Sequence, residues 1–571
     1  MRSPGGLVVI CFGCALVWMG SARAQFGRGG DWMTSNNDAQ RTSWVRTDAM
    51  ISKDNMLKPG FQFLWKLKLD NDARQLNSLT QPVLVGNIIG YKGFKSLAIV
   101  GGSSDNVYAI DYDLGRIEWK THLDYSAATP PPRATLDCPG GLTANLTRPT
   151  TVFATAAGGR GGRGRGRLGG AVGEPGQGAA NLAETAAARG GPAAGGRGGP
   201  APGGPGGRGG RGGGGGGGGF GGPGAVFAVS SDGRLHSLNL QNGAAVSPPV
   251  PFLPPNAKAY GLILVDNVLY TATGQDCGGV ANGAWAIDLA TRTITTWKSN
   301  GGGIWGSAGP TFGTDGTLYV ATGDGDYSPA SYSNTVVALD ATTLKLKDYF
   351  TPAKLDFNAS PVVFQYKGKD VVVVSSKDGR LYLLDSASLG GPDHRTPLYR
   401  TPRYSTGNAD FMAGALASWE EADGTRWVLA PSGGPVHSET KFPVAYGSAN
   451  HGAIVAYKVA EQNGKPVLQP GWVSRDMNSP LPPIVINGVV FAVSSGEYRT
   501  NDPQMSAAER ARRSVSAVLY ALDATTGKEL WSSGGTITSF VRSGGLSGGA
   551  GQVYVGTHDS TLYAFGFPME H

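Results

Sequence analysis

The stretch LYALDATTGKELW, residues 519–531, reads as a strand over residues 519–522, a tight polar turn at 525–527 and a second strand ending on Trp531. Apolar residues alternate with small or polar ones, the pattern of a half-buried strand. The phrase recurs as VYAIDYDLGRIEW (107–119), AWAIDLATRTITTW (284–297) and VVALDATTLKLKDYF (336–350), and in blurred form as LYLLDSASLGG (381–391). A repeat of roughly 40 to 60 residues built from short strands predicts a β-propeller. Counting the strands that end on Ala-Leu-Asp or its counterpart gives eight, at Asp111, Asn239, Asp288, Asp340, Asp385, Tyr457, Asp523 and Phe565. The last copy lacks a fourth strand, and FQFLWKLKL (61–69) is a lone strand of the right type near the other end. Pairing the two would finish the last blade and hide an edge. The expected fold is all-β, an eight-bladed propeller of four-stranded blades closed by its termini.

Two segments fall outside that fold. Residues 1–24 carry Arg2, an apolar run over 7–19 and Ala22-Arg23-Ala24 before Gln25. That is the pattern of a secretory signal peptide, and Cys14 sits too early in the run for a lipoprotein cysteine. No later segment approaches ~20 uninterrupted apolar residues, so an exported chain without a transmembrane segment, periplasmic or secreted, is expected. Residues 158–224 are nearly all Gly, Arg, Ala and Pro and account for much of the chain's 91 glycines. Such a segment cannot bury enough apolar surface to offset its chain entropy and is expected to be disordered. It interrupts blade 2 between a first strand at 149–154 and a second at 225–230. Propeller sequence therefore occupies 25–157 and 225–571. The insertion's eight arginines against Glu174 and Glu184 account for most of the net charge of +7. The folded part is thus close to neutral, which argues against nucleic acid as a partner. The insertion itself reads as expansion of a tolerated loop or as a flexible tether.

The phrase A-h-D-x-x-T-G-K-x-h-W resembles the repeat of the pyrroloquinoline quinone (PQQ) enzymes, the quinoprotein dehydrogenases. The propeller scaffold of outer-membrane barrel assembly shares it. In the dehydrogenases the cofactor lies on the propeller axis, with an aromatic floor, a cation at the quinone oxygens, Ca²⁺ ligands and a carboxylate base. GGGIWGSAG (301–309) resembles the family's G-G-x-x-W-G segment, which implies Trp305 as the floor beneath a flat quinone-like ligand. Thr322-Gly323-Asp324 resembles the family's T-G-N segment and implies Asp324 as a Ca²⁺ ligand, since Ca²⁺ accepts carboxylate oxygen. Lys377, in SKDG, implies the cation at the quinone oxygens. Asp276, in GQDCGG (274–279), stands near the family's Ca²⁺-binding Glu.

Three departures accompany these matches. The family's R-P-G-D-N motif, which carries the catalytic base, is absent, leaving Asp326 as the nearby carboxylate able to take its role. The adjacent cysteine pair is replaced by Cys138 alone, and Cys277 occupies the natural alignment of the Ca²⁺ Glu. In an oxidising compartment Cys138 and Cys277 are expected to pair across the pocket mouth. His437 and His451 share a long loop without a third ligand spaced for a metal. Two readings stand side by side: a PQQ- and Ca²⁺-binding dehydrogenase-like propeller with an incomplete catalytic set, or a non-enzymatic scaffold for an envelope protein partner. A carbohydrate-binding module ranks third, on generic loop aromatics alone.

Overall fold

In most repeats an aspartate turns the hairpin, because its carboxylate caps the backbone N–H groups that the turn leaves free. In the computed structural model Asp523 Oδ1 accepts the N–H of Thr525 (2.8 Å) and of Thr526 (2.9 Å). Asp340 does the same for Thr342 and Thr343, and Asp288 for Ala290 and Thr291. The glycine that follows has two reasons to be glycine. At Gly527, Gly115 and Gly243 φ is +77°, +63° and +70°. A Cβ there would lie 2.4, 2.6 and 2.5 Å from the indoles of Trp472, Trp65 and Trp119, each on the preceding blade. Those indoles donate to the turn carbonyls of Ala524 (3.0 Å), Tyr112 (2.9 Å) and Leu240 (2.9 Å). The Asp, Gly and Trp of the repeat are therefore a turn and a blade-to-blade dock.

The structure describes residues 31–90, 93–123, 134–152, 224–352, 354–406, 413–500, 502, 504–542 and 545–568. The leader read at 1–24 and the insertion read at 158–224 lie outside the described residues, Gly224 excepted. Eight sheets follow one another in chain order, at 83–122, 225–251, 259–298, 311–350, 362–400, 417–473, 484–532 and 546–566. These are blades 1 to 8, and the strands that end on Ala-Leu-Asp are the third strand of each. Blade 8 takes its outer strand from the other end of the chain: Gln62–Lys68 pairs antiparallel with Thr561–Gly566, Leu67 opposite Leu562. The expected closure is what forms.

Two expectations need correction. The third strands are buried on both faces rather than half-buried; Asn106–Asp111 is buried along its whole length. Blades stack face to face, so small residues such as Ala109 and Ala521 fill the spaces between larger neighbours. The inner strand of blade 2, expected at 149–154, is among the described residues reduced to Thr147 bridging Phe227, and residues 153 and 154 lie outside them. Pro149–Thr150 instead pairs parallel with Ala259–Val265 of blade 3. Pro149 has no N–H to offer, and the N–H of Arg148 goes to Met33 O.

Met33 belongs to a segment the repeat pattern does not touch. Innermost strands face the axis with unpaired backbone groups, and residues 32–48 satisfy them blade by blade. Trp32 exchanges both backbone bonds with Leu84 of blade 1; Arg148, Phe312, Val363, Ser418 and Val485 donate to Met33, Ala39, Gln40, Thr42 and Ser43. Thr34 Oγ1 donates to Leu262 O of blade 3, and Asp48 accepts from Gly551 N–H of blade 8. The belt thus touches all eight blades. Its fully buried Arg41 donates to Pro310 O, Ser35 O and Thr34 Oγ1.

Among the described residues no helix is long and apolar enough to cross a membrane. The helices Lys53–Met56 and Ala507–Arg513 are short and capped by Ser52 and Ser506.

Candidate functional site

An axial cavity of about 290 Å³ opens on the face that carries the blade-to-blade connections. Asn36 of the belt is part of its lining. Trp305 and Lys377 lie on one wall, and Lys258, Arg499 and Arg542 also line the cavity.

Glycines seat Trp305. A Cβ on Gly302 would fall 1.4 Å from Gly323 O, one on Gly306 2.2 Å from Ser360 N, and one on Gly323 2.9 Å from the Trp305 ring. The backbone can approach that closely only without side chains. The Trp305 indole N–H is buried without a hydrogen-bond partner. It lies near enough to the Asp324 carboxylate to help stabilise the charge there, but outside hydrogen-bond geometry.

Lys377 Nζ stands 5.1 Å from the Trp305 ring centre. It bonds Asp356 Oδ2 at 3.0 Å and Asp324 Oδ1 at 3.3 Å. Burial pushes Lys377 down, but the two carboxylates outweigh it and hold the ammonium above its ordinary range. Burial pushes Asp324 up; Lys377 opposes this and Asp356 adds to it, and the net shift is upward. Asp356 also accepts the Asp324 N–H at 2.8 Å. Lys377 is thus already paired with two anions.

The calcium assignment meets an obstacle here. The cation between Asp324 and Asp356 is an ammonium, and a divalent ion would have to displace it. Among the described residues no three or more His, Cys, Asp or Glu side chains gather into a metal site. Asp276 is exposed on a left-handed turn (φ +46°). Asp326 is exposed, and neither carboxylate lines the cavity. The donor set does not fit Ca²⁺.

The sequence reading missed the rest of the cationic lining. Glu497, 0% exposed, is met by Arg542 (2.5 Å), Arg499 (2.9 Å) and Arg510 (3.5 Å). Burial raises its carboxyl, but Arg499, Arg542 and Arg510 outweigh that and hold it below the usual range. Two of these arginines, Arg499 and Arg542, face the cavity. Lys258 Nζ bonds Asp137 O at 2.6 Å and also Gln275 Oε1. Burial, and then Arg542, push Lys258 down to about 7, with Asp137 opposing. No local pattern marks these residues: Glu497 and Arg542 are 45 positions apart. The Glu-Tyr-Arg of residues 497–499 was the nearest thing to a signal.

The expected bridge is present. Cys138 and Cys277 form a disulfide across 139 residues. Asp137, Pro139 and Gln275 beside it line the cavity, so it sits at the rim. His451 pairs with Asp476 (2.6 Å) on the surface, and His437 accepts the Glu439 N–H.

No family model and no curated protein matches the chain. Among solved structures it is similar to the quinohemoprotein alcohol dehydrogenase ADHIIG from Pseudomonas putida HK5, at 12% identity over 95% of this chain and 81% of that one, TM-score 0.50. It is also similar to the quinohemoprotein alcohol dehydrogenase from Comamonas testosteroni, at 14% identity over 96% and 82%, TM-score 0.49. A third likeness is to BamB from Moraxella catarrhalis, at 11% identity over 90% and 99%, TM-score 0.41. At 12% identity the first of these likenesses supports the fold alone.

Proposed function

We propose that this is an exported quinoprotein-dehydrogenase-like propeller whose axial cavity takes a flat, multiply anionic aromatic ligand of the PQQ class, without calcium. The observation that carries the reading is the pairing of one aromatic face with two arginines in an axial cavity. Trp305 offers a ring for stacking. Arg499 and Arg542 offer planar forks suited to carboxylates. A bound quinone would supply the two-electron chemistry. The chain's own residues would stack it on Trp305 and hold its carboxylates.

Titration of the purified protein with PQQ, read by Trp fluorescence and quinone absorbance, tests this. Trp305→Ala should weaken binding by about tenfold or more, on the order of 1.4 kcal/mol, and leave the unfolding transition nearly unchanged. An unchanged affinity would place the ligand elsewhere.

A further inference from the structure

Tyrosines gather on the outer part of blade 4, and none of them lines the axial cavity. Tyr327 sits in the loop between the second and third strands, Thr317–Ala321 and Val336–Asp340, and Tyr349 on the fourth strand, Leu346–Phe350. The loop is pinned: Ser328 and Ser331 exchange backbone bonds, Tyr332 N–H donates to Ser299 O, and Asn334 Nδ2 donates to Gly325 O. The Tyr327 hydroxyl donates to the Tyr349 hydroxyl at 2.9 Å, and the two rings stack at 26° with centres 5.7 Å apart. The ring carbons beside each hydroxyl lie between hydroxyl and centre, so those edges face each other at an intermediate separation. Tyr349 is held in place, since His394 stacks on it at 3.9 Å and Tyr332 meets it edge-on at 5.6 Å. Tyr327 and Tyr349 are half-buried and so open to small solutes. Tyr112 with Tyr554, and Tyr404 with Tyr457, also touch, but these pairs are buried.

We propose that Tyr327 and Tyr349 are a modification site, a pair of phenols that one-electron oxidants join into a dityrosine cross-link. Each phenol gives one electron to an oxidant and its hydroxyl proton to water. The two phenoxyl radicals then pair their electrons in a carbon–carbon bond between ring positions ortho to the hydroxyls. Each of those carbons passes its proton to the adjacent phenolic oxygen, which restores both aromatic rings. Two electrons and two protons leave in all, and two oxidant molecules are reduced. The bond ties the loop that carries Asp324, the partner of Lys377, to the outer strand of its blade. The oxidation therefore braces one wall of the cavity from outside, and it needs no ligand in the cavity.

The test is brief illumination of the full-length protein with ruthenium tris-bipyridine and persulfate, a source of one-electron oxidant, followed by tryptic peptide mapping. Tyr349 is the single tyrosine of tryptic peptide 348–354, and Tyr327 lies in peptide 299–345 with Tyr319 and Tyr332. The two peptides should appear joined and two hydrogens lighter than their sum, with fragment ions placing the bond at Tyr327. Held in contact, this pair should cross-link at least about tenfold more than any other pair of tyrosines. The yield should not change with protein concentration. Tyr327→Phe and Tyr349→Phe should each abolish the joined peptide, whereas Tyr332→Phe, which keeps the packing, should retain it. A bond from Tyr349 to Tyr332 or Tyr319 would overturn the proposal, as would cross-links formed only between molecules. So would the absence of any cross-link at a dose that dimerises a free tyrosine peptide. PQQ binding has no bearing on the outcome, so the proposal and the reading of the cavity stand or fall separately.

Discussion

Two groups of charges line the axial cavity, and they are balanced differently. Lys377 is shared between Asp324 and Asp356, so that wall carries no spare positive charge. Around Glu497 three arginines meet one buried carboxylate, and one of them, Arg542, also acts on Lys258. Asp324 of the first is 48% exposed, whereas Glu497 of the second is fully buried. The position that a family resemblance picks out need not be where the arginines are. Charge stoichiometry has to be read from the partners, and the partners are distant in sequence.

Breaking the arginine cluster should have the largest effect. Glu497→Ala would leave Arg499, Arg510 and Arg542 facing one another in a buried site, a loss of about 3–5 kcal/mol of stability by denaturant titration. Because its folded pKa lies below the ordinary value, the stability Glu497 contributes is present above that value and lost as pH falls through the folded one. A cost below about 1 kcal/mol would mean that the cluster is solvated and the comparison misdrawn.

Arg499→Met with Arg542→Met should come next, lowering affinity for PQQ by about ten- to a hundredfold, as expected for loss of charge-assisted bonds. Lys377→Met should change anion affinity far less. Its consequence is different: Asp324 and Asp356 lose their shared cation and become available to Ca²⁺. The variant should then be thermally stabilised by added calcium, while the natural protein should not respond. A calcium response in the natural protein would show that Lys377 gives way.

The smallest effect is a pH dependence. Burial and Arg542 hold Lys258 down to about 7, and a bound anion favours its protonated form, so PQQ affinity should fall by about three- to tenfold as pH rises from about 6 to about 8. An affinity indifferent to pH over that interval would remove Lys258 from the binding wall.

What could be read from the sequence follows the same division. Asp523, Gly527 and Trp472 act through a local turn and a dock repeated from blade to blade, so the phrase 519–531 carries the fold in plain view. The closing strand Gln62–Lys68 was equally readable, because it keeps the aromatic Trp65 of the repeat. The belt was not. TSNNDAQRTS (34–43), at its centre, has no periodicity, and the belt's partners come one blade after another from the rest of the chain. Several of its residues, Asn36, Asn37, Arg41 and Ser43, adopt positive φ to make the circuit. Of the site, Trp305 and Lys377 were legible through glycine spacing and family likeness. Asp356, Lys258 and the arginines around Glu497 were not, since each depends on a neighbour from another segment.

The central claim is that the cavity binds a multiply charged aromatic anion by stacking and by arginine, without a divalent ion. Its most direct test is a PQQ binding isotherm on the natural protein, taken once in EDTA and once in excess Ca²⁺. The account predicts saturable binding in both, with the same affinity, weakening as salt is raised. Binding that appears only with calcium, or none at tens of micromolar, roughly −6 kcal/mol, would contradict it.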